Sequence, residues 1–215
     1  MKIPFLSLPS LKRIKSNAAE TLAEVLIALI VISVGAGGAL TLVVTSMRAN
    51  QEAEERLVGY NLAREGVEAM RTIRDTNWLR FPSDRENCWD VEPGVTDPGD
   101  CSTWTKIGDV TSYIVYQEAD PDDQYSLLTW KLEDATTLVD EYQIIYAYHV
   151  RYGTIYTHEF GCPSGGDICD EATIYSRLVT IPYVDANSIE VNSTVTWESR
   201  GQSKSITFSD LLTNY

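Results

Sequence analysis

Glu20-Thr21-Leu22-Ala23-Glu24, running straight into Val25-Leu26-Ile27-Ala28-Leu29-Ile30-Val31-Ile32, decides how the chain is organised. Residues 25–47 form a run of 23 positions without a single charge. A helix needs about 20 such residues to cross a bilayer. Glu24 stands at the very start of the run, and the preceding nineteen residues carry Lys2, Lys12, Arg13 and Lys15 but no acid. Basic residues on that flank predict that residues 1–19 stay in the cytoplasm and that 50–215 lie outside.

Beyond the run the period stays helical. Ala53, Leu57, Tyr60, Ala63, Val67, Met70 and Ile73 recur at three- and four-residue steps and predict one apolar stripe through residues 48–76. Glu52 and Arg56 are four apart, a modest supporting pair, and Gly59 and Gly66 read as tolerated weak points. Pro82 and Ser83-Asp84 end the helix. From 21 to 75 it would extend about 80 Å at ~1.5 Å per residue.

From residue 112 the period switches to two. Strands are predicted at 113–117, 126–132 (Leu128, Trp130 and Leu132 on one face), 142–150 (Ile144, Tyr146, Tyr148 and Val150 aligned), 152–159, 173–182, 189–197 (Ile189, Val191, Val195 and Trp197 on one face) and 204–208. Arg200-Gly201 makes the last hairpin turn and Asp185-Ala186-Asn187 an earlier one. Seven strands with short turns imply an antiparallel sheet whose apolar face needs a cover, and the helix stripe supplies it. The fold class is therefore α+β. The expected domains are a basic leader at 1–19, a membrane half of the helix at 20–47, an amphipathic half at 48–80 and a β-rich globular domain at 81–215.

Charge narrows the function. Seventeen bases face 31 acids, a net charge of −14. Without the leader, 13 bases face 31 acids, or −18. Such an excess repels phosphates and argues against a nucleic-acid partner. Cys88, Cys101, Cys162 and Cys169 all follow the apolar run, on the side where disulfides persist. No Cys-x-x-Cys exists, so disulfides outweigh a metal site, with three connectivities open. A bridge between Cys88 and Cys101 would close a loop rich in Pro, Gly and acids, worth about 3 kcal/mol. Cys162 and Cys169 flank Pro163-Ser164-Gly165-Gly166-Asp167 and would staple it.

Basic leader, small residue, Thr-Leu-x-Glu step and long apolar helix together resemble the processing site of type IV prepilins and pseudopilins. The resemblance covers roughly residues 12–75. It implies cleavage between Ala19 and Glu20 by a prepilin peptidase and methylation of the new N-terminus. Thr21 and Leu22 match the Thr-Leu positions and Glu24 the family's acid. Ala19 stands where Gly is commoner, and Glu20 where Phe or Met is usual. The implied fold is that of a pilin: a long helix packed on a sheet. The implied function is a structural subunit of a type IV pilus or secretion pseudopilus, major or minor, and the acidic, cysteine-bearing domain favours a minor one. Its partners would be membrane lipid before assembly, other pilin-like subunits, the peptidase and the inner-membrane assembly platform. It would cross the cytoplasmic membrane once, then join a surface or periplasmic filament.

In that setting Glu24 would pair with the freed N-terminal amine of an adjacent subunit, in a core where charges interact strongly. Gly35, Gly37 and Gly38 weaken the helix, since each Gly costs about 1 kcal/mol against Ala. Close packing between membrane helices would use them; loosening of the helix on assembly, which the resemblance favours, would use them as well.

Other chemistries are poorly supplied. Asp120, Asp122 and Asp123, with Glu118, cluster around Pro121, but their spacing is not that of an EF-hand and a solvated turn accounts for them. His149 and His158 fall in strand patterns, and no phosphate loop or nucleophile elbow appears. No cofactor, metal or catalytic residue is expected. Two rivals stand beside the filament reading: a secretory signal cut after Val34-Gly35-Ala36, and a monomeric, signal-anchored binding or adhesin-like protein.

Overall fold

The computed structural model describes residues 18–93, 101–118, 129–136, 143–150, 153–158 and 171–214. One helix, α1 (Ala18–Arg80), is followed by a single turn, α2 (Arg85–Cys88), and a 3-10 turn at Ile107–Asp109. Eight strands follow among the described residues: β1 (Ser112–Glu118), β2 (Thr129–Asp134), β3 (Ile144–Val150), β4 (Gly153–His158), β5 (Glu171–Thr180), β6 (Tyr183–Asp185), β7 (Ser188–Ser199) and β8 (Gln202–Thr213). The chain divides into two compact units, before and after the boundary between Gln51 and Glu52.

In the second unit every strand pairing is antiparallel, and β5 is the hub. One edge of β5 pairs with β7, from Tyr175↔Trp197 to Thr180↔Asn192. Its other edge takes β3 near the start and β1 at Ser112↔Thr180 and Tyr113↔Val179. β2, β4 and β8 extend β1, β3 and β7 respectively. The α+β class therefore holds. Five of the seven predicted strands match described strands closely, and the one at 204–208 falls inside the 12-residue β8. The stretch predicted at 126–132 appears as β2, with 126–128 outside the described residues. The sequence pattern missed β6, whose three residues are too few to show alternation.

Residues 52–80 of α1 cover this sheet. Val67, Met70 and Ile73 pack with Val179, Ile181, Val191 and Leu212, and Leu62 and Ala63 pack with Ile145, Tyr175, Val195 and Trp197. Each large side chain so buried contributes about 1.5–3 kcal/mol. The buried face is rotated from the predicted stripe. Ala53 and Leu57 are exposed and Tyr60 is 38% exposed, while Gly59, Leu62, Gly66, Ala69 and Asn77 are buried. Tyr60 instead sets its ring edge-on to Phe208, 5.7 Å between centroids.

The rotation explains Gly59 and Gly66, which are close approaches rather than weak points. A Cβ on Gly59 would lie 3.1 Å from Trp197 Cζ3. On Gly66 it would meet Ser193 Oγ inside contact distance, Ser193 Cβ at 3.1 Å and Val179 Cγ2 at 3.3 Å. Absent side chains let the helix backbone come down onto β5 and β7. On β3 the core side chain is Ile145, 1% exposed, not the predicted row beginning at Ile144. The row beginning at Ile144 stands on the other face of β3, where Ile144 pairs with Ser176 and Tyr146 with Ala172.

The helix end is moored. Asn77 is buried, and its Nδ2 donates to the carbonyls of Trp89 (3.1 Å) and Val91 (2.7 Å). Cys88 and Cys101 are joined, with Cα atoms 5.6 Å apart. Phe81, Val91 and Trp104 pack around the bridge. Lys106 Nζ donates to the Asn87 carbonyl and, at 2.7 Å, to Asp90 Oδ1. Cys162 and Cys169 lie outside the described residues, as do Asp120, Asp122 and Asp123.

Candidate functional site: an uncovered apolar helix

The first unit presents residues 21–51 of α1, and every one of them is exposed. Leu22, Val34, Leu40, Leu42 and Met47 each show well over half their surface. Among the described residues this is the one helix long and apolar enough to cross a membrane. A helix that is hydrophobic all round lies in a protein core or spans a membrane.

Its polar side chains fit such surroundings. Four hydroxyls lie in the run 25–47. Three of them donate back to the carbonyl one turn earlier: Ser33 Oγ to Leu29 (2.6 Å), Thr41 Oγ1 to Gly37 (2.9 Å) and Thr45 Oγ1 to Thr41 (2.8 Å). Each such group is satisfied within its own helix, as hydrocarbon demands. Glu24 is the only ionisable side chain between Thr21 and Met47, and it is exposed. It lies within the helix, four positions beyond Glu20, so the two sit one turn apart.

The predicted processing pair, Ala19 and Glu20, is helical in backbone. Thr21, Leu22 and Glu24 continue the same turns. Gly35, Gly37 and Gly38 are helical too, with nothing within 4 Å of where a Cβ would stand. They thus differ in kind from Gly59 and Gly66, which lie against the sheet.

Potential metal ligands cluster once among the described residues, as Asp84 with Cys88 and Cys101. The two sulfurs are bonded to each other, which leaves one carboxylate. His158 is buried, its Nδ1 3.1 Å from the carbonyl oxygen of Ile144, and serves the packing of β3 on β4.

One polar feature of the second unit went unread in the sequence. Arg177 on β5 is 2% exposed. Its Nη1 donates to the Leu62 carbonyl of α1 (3.1 Å) and its Nη2 to the Val115 carbonyl of β1 (2.6 Å). Glu65 Oε2 lies 3.7 Å from Nη1. Burial pushes the Glu65 carboxyl above its ordinary range, and the Arg177 guanidinium pulls it back part of the way. Burial also lowers Arg177 from its ordinary value, against the pull of Glu65. The signal was present: Tyr175, Arg177, Val179 and Ile181 alternate on one face, so the arginine shares the row of the buried residues.

No protein-family model matches the chain, and comparison with curated proteins and with solved structures finds no match either.

Proposed function

We propose that the chain is a structural subunit of a type IV pilus or pseudopilus, made as a single-pass membrane precursor and assembled through residues 20–47. The observation that carries this reading is the pairing of one lone carboxylate, Glu24, with a fully exposed, uncharged 23-residue helix behind a basic leader. A prepilin peptidase would cut after Ala19 and free an amine at Glu20. In a growing filament the amine of one subunit reaches Glu24 of the next. Moving the helix from lipid into a bundle of like helices keeps its apolar surface buried throughout. Packing and the amine–carboxylate pair then give the exchange its direction, because charges attract far more strongly away from water. The amphipathic half carries the sheet domain on the outside.

The back-bonded hydroxyls of Ser33, Thr41 and Thr45 support the reading, since they leave those positions nothing to lose on leaving lipid. Gly35, Gly37 and Gly38 have open space around them and are the place where the helix would loosen on packing.

N-terminal mass spectrometry of the membrane-extracted protein tests the processing step. A mature chain beginning at Glu20, methylated or not, is the expected result. A start at Met1 would indicate a plain signal anchor and a start after Ala36 a secreted domain. Glu24→Gln tests the pairing separately: recovery in sheared filaments should drop at least tenfold while the membrane pool is unchanged. Unaltered recovery would remove Glu24 from the mechanism.

A further inference from the structure

The outermost strand, β8, pairs with β7 alone among the described residues. Arg200 and Gly201, with φ of 53° and 72°, form the two-residue turn that joins them. Such a turn makes Ser199 and Gln202 a hydrogen-bonded pair. Alternation along the ladder then turns the backbone N–H and C=O groups of Ser203, Ser205, Thr207, Ser209 and Leu211 away from β7. No described group meets them.

Edge strands usually carry an obstacle to further pairing: a proline, a bulge, short length or an interfering charge. β8 has none. It is 12 residues long, lacks proline, and keeps its register with β7 from Gln202 to Thr213. Its two charges are turned toward the helix, where Lys204 Nζ lies 3.5 Å from Glu52 and Asp210 Oδ2 lies 2.5 Å from Arg71. On the opposite face Ser203, Ser205, Thr207 and Ser209 are exposed, small and neutral. In a chain of net charge −14 a neutral border is where two copies repel least.

The strand is also self-complementary. With two copies antiparallel and Thr207 opposite Thr207, Lys204 of each faces Asp210 of the other. Ile206 then faces Phe208, and Ser205 faces Ser209. A register centred on Ile206 instead would set Lys204 against Phe208. Opposite charges across an antiparallel pair favour the first register.

We propose that the free edge of β8 docks a second copy of this chain by antiparallel strand pairing centred on Thr207. The contact is two-fold and closes on itself. It joins two chains without propagating a filament, and because α1 follows β8 from Glu52 beside Lys204 to Arg71 beside Asp210, the pairing turns the two copies of α1 in opposite directions and so competes with assembly through the N-terminal helix.

Thr207→Cys in the full chain, solubilised in mild detergent and oxidised, tests the register. Cα atoms across a hydrogen-bonded pair lie about 5.5 Å apart, within the ~4.4–6.8 Å that a disulfide spans. A covalent dimer of twice the chain mass is expected. Ser203→Cys would sit eight residues, roughly 27 Å, from its counterpart and should stay monomeric. An equal mixture of Ser203→Cys and Leu211→Cys chains should cross-link. Thr207→Pro removes an outward N–H without touching the β7 ladder and should weaken self-association at least tenfold in sedimentation. Should that variant fail to fold, the cysteine series decides. No dimer from Thr207→Cys, equal cross-linking of Thr207→Cys and Ser203→Cys, or an adduct of another mass would each overturn the proposal.

Discussion

Within α1, residues 21–51 and residues 52–80 share one backbone geometry and follow opposite rules. The first stretch is apolar on all sides and has no cover. The second is apolar along one face and buries that face on a sheet. The glycines show the contrast most sharply. Gly35, Gly37 and Gly38 look out on empty space, whereas Gly59 and Gly66 lie where a methyl group would press on Trp197, Ser193 or Val179. The polar groups differ in part. Hydroxyls bond back one turn in both stretches, Ser33, Thr41 and Thr45 in the first and Thr72 and Thr76 in the second. Only in the second do other polar groups reach across to the packed domain: Asn77 to Trp89 and Val91, Arg71 to Asp210, and the Leu62 carbonyl to Arg177. Helical periodicity by itself therefore says little about what a helix is for; the destination of its polar atoms says more.

The largest effect that would break this comparison comes from cutting it in two. A chain beginning at Glu52 should remain in aqueous buffer without detergent and unfold in one cooperative step, while the full chain needs detergent. Sedimentation and urea unfolding followed by circular dichroism check this. Aggregation or non-cooperative melting of the shorter chain would mean that the second unit does not stand alone.

Next in size is Arg177→Ala. It strips two carbonyls of their donor and leaves Glu65 without its cation in a half-buried place. Removing one member of a buried pair costs about 3–5 kcal/mol, read as a fall in the urea midpoint.

A smaller effect, with a change of sign, should come from two identical substitutions. Gly66→Ala gains helix propensity of about 1 kcal/mol but loses about 1–3 kcal/mol to overpacking against β7. A net loss is expected in chemical denaturation. Gly38→Ala meets nothing and keeps the gain, so amide exchange near residue 38 in micelles should slow about fivefold. Equal signs at the two sites would erase the distinction between the halves.

The smallest effect is confined to alkaline pH. Tyr175 Oη donates to the Glu55 carbonyl of α1, and burial, with help from the Glu55 carboxylate, raises its pKa from 10.0 to about 12. The folded state then holds its proton more tightly than the unfolded state. That stabilisation is complete below about pH 10 and is lost as pH rises from 10 through 12. Denaturation midpoints across this range should fall, and Tyr175→Phe should flatten the decline.

Much of the architecture was legible in the residues. An uncharged run of 23 positions can be read without tertiary information, and so can alternation in β7, where Ile189, Val191, Val195 and Trp197 are all buried as expected. The helix face was harder. Ala53, Leu57 and Tyr60 share their period with the true stripe at a different angle, and glycines count for nothing in an apolar pattern although Gly59 and Gly66 mark its centre. Arg177 and Asn77 were passed over because charge and amide are assigned to solvent by default. Their partners are backbone carbonyls on distant segments, which no local pattern encodes. The disulfide between Cys88 and Cys101 was one of three connectivities until geometry chose it. At the candidate assembly helix the sequence was the stronger source, since Ala19, Glu20 and Glu24 draw their meaning from order along the chain and not from neighbours in the fold.

Asn77 has a mechanical consequence. A tug along α1 would load the stretch 52–80 that packs on the sheet. It would slide the helix over the sheet, and before the far end could follow, the two hydrogen bonds from the Asn77 amide onto the 89–91 segment would have to fail together. That segment is tied by the Cys88–Cys101 bridge, which no ordinary pull on a weak bond undoes. The chain thus ends its helix in a cleat, so that tension applied at one end is shared across the whole packed length.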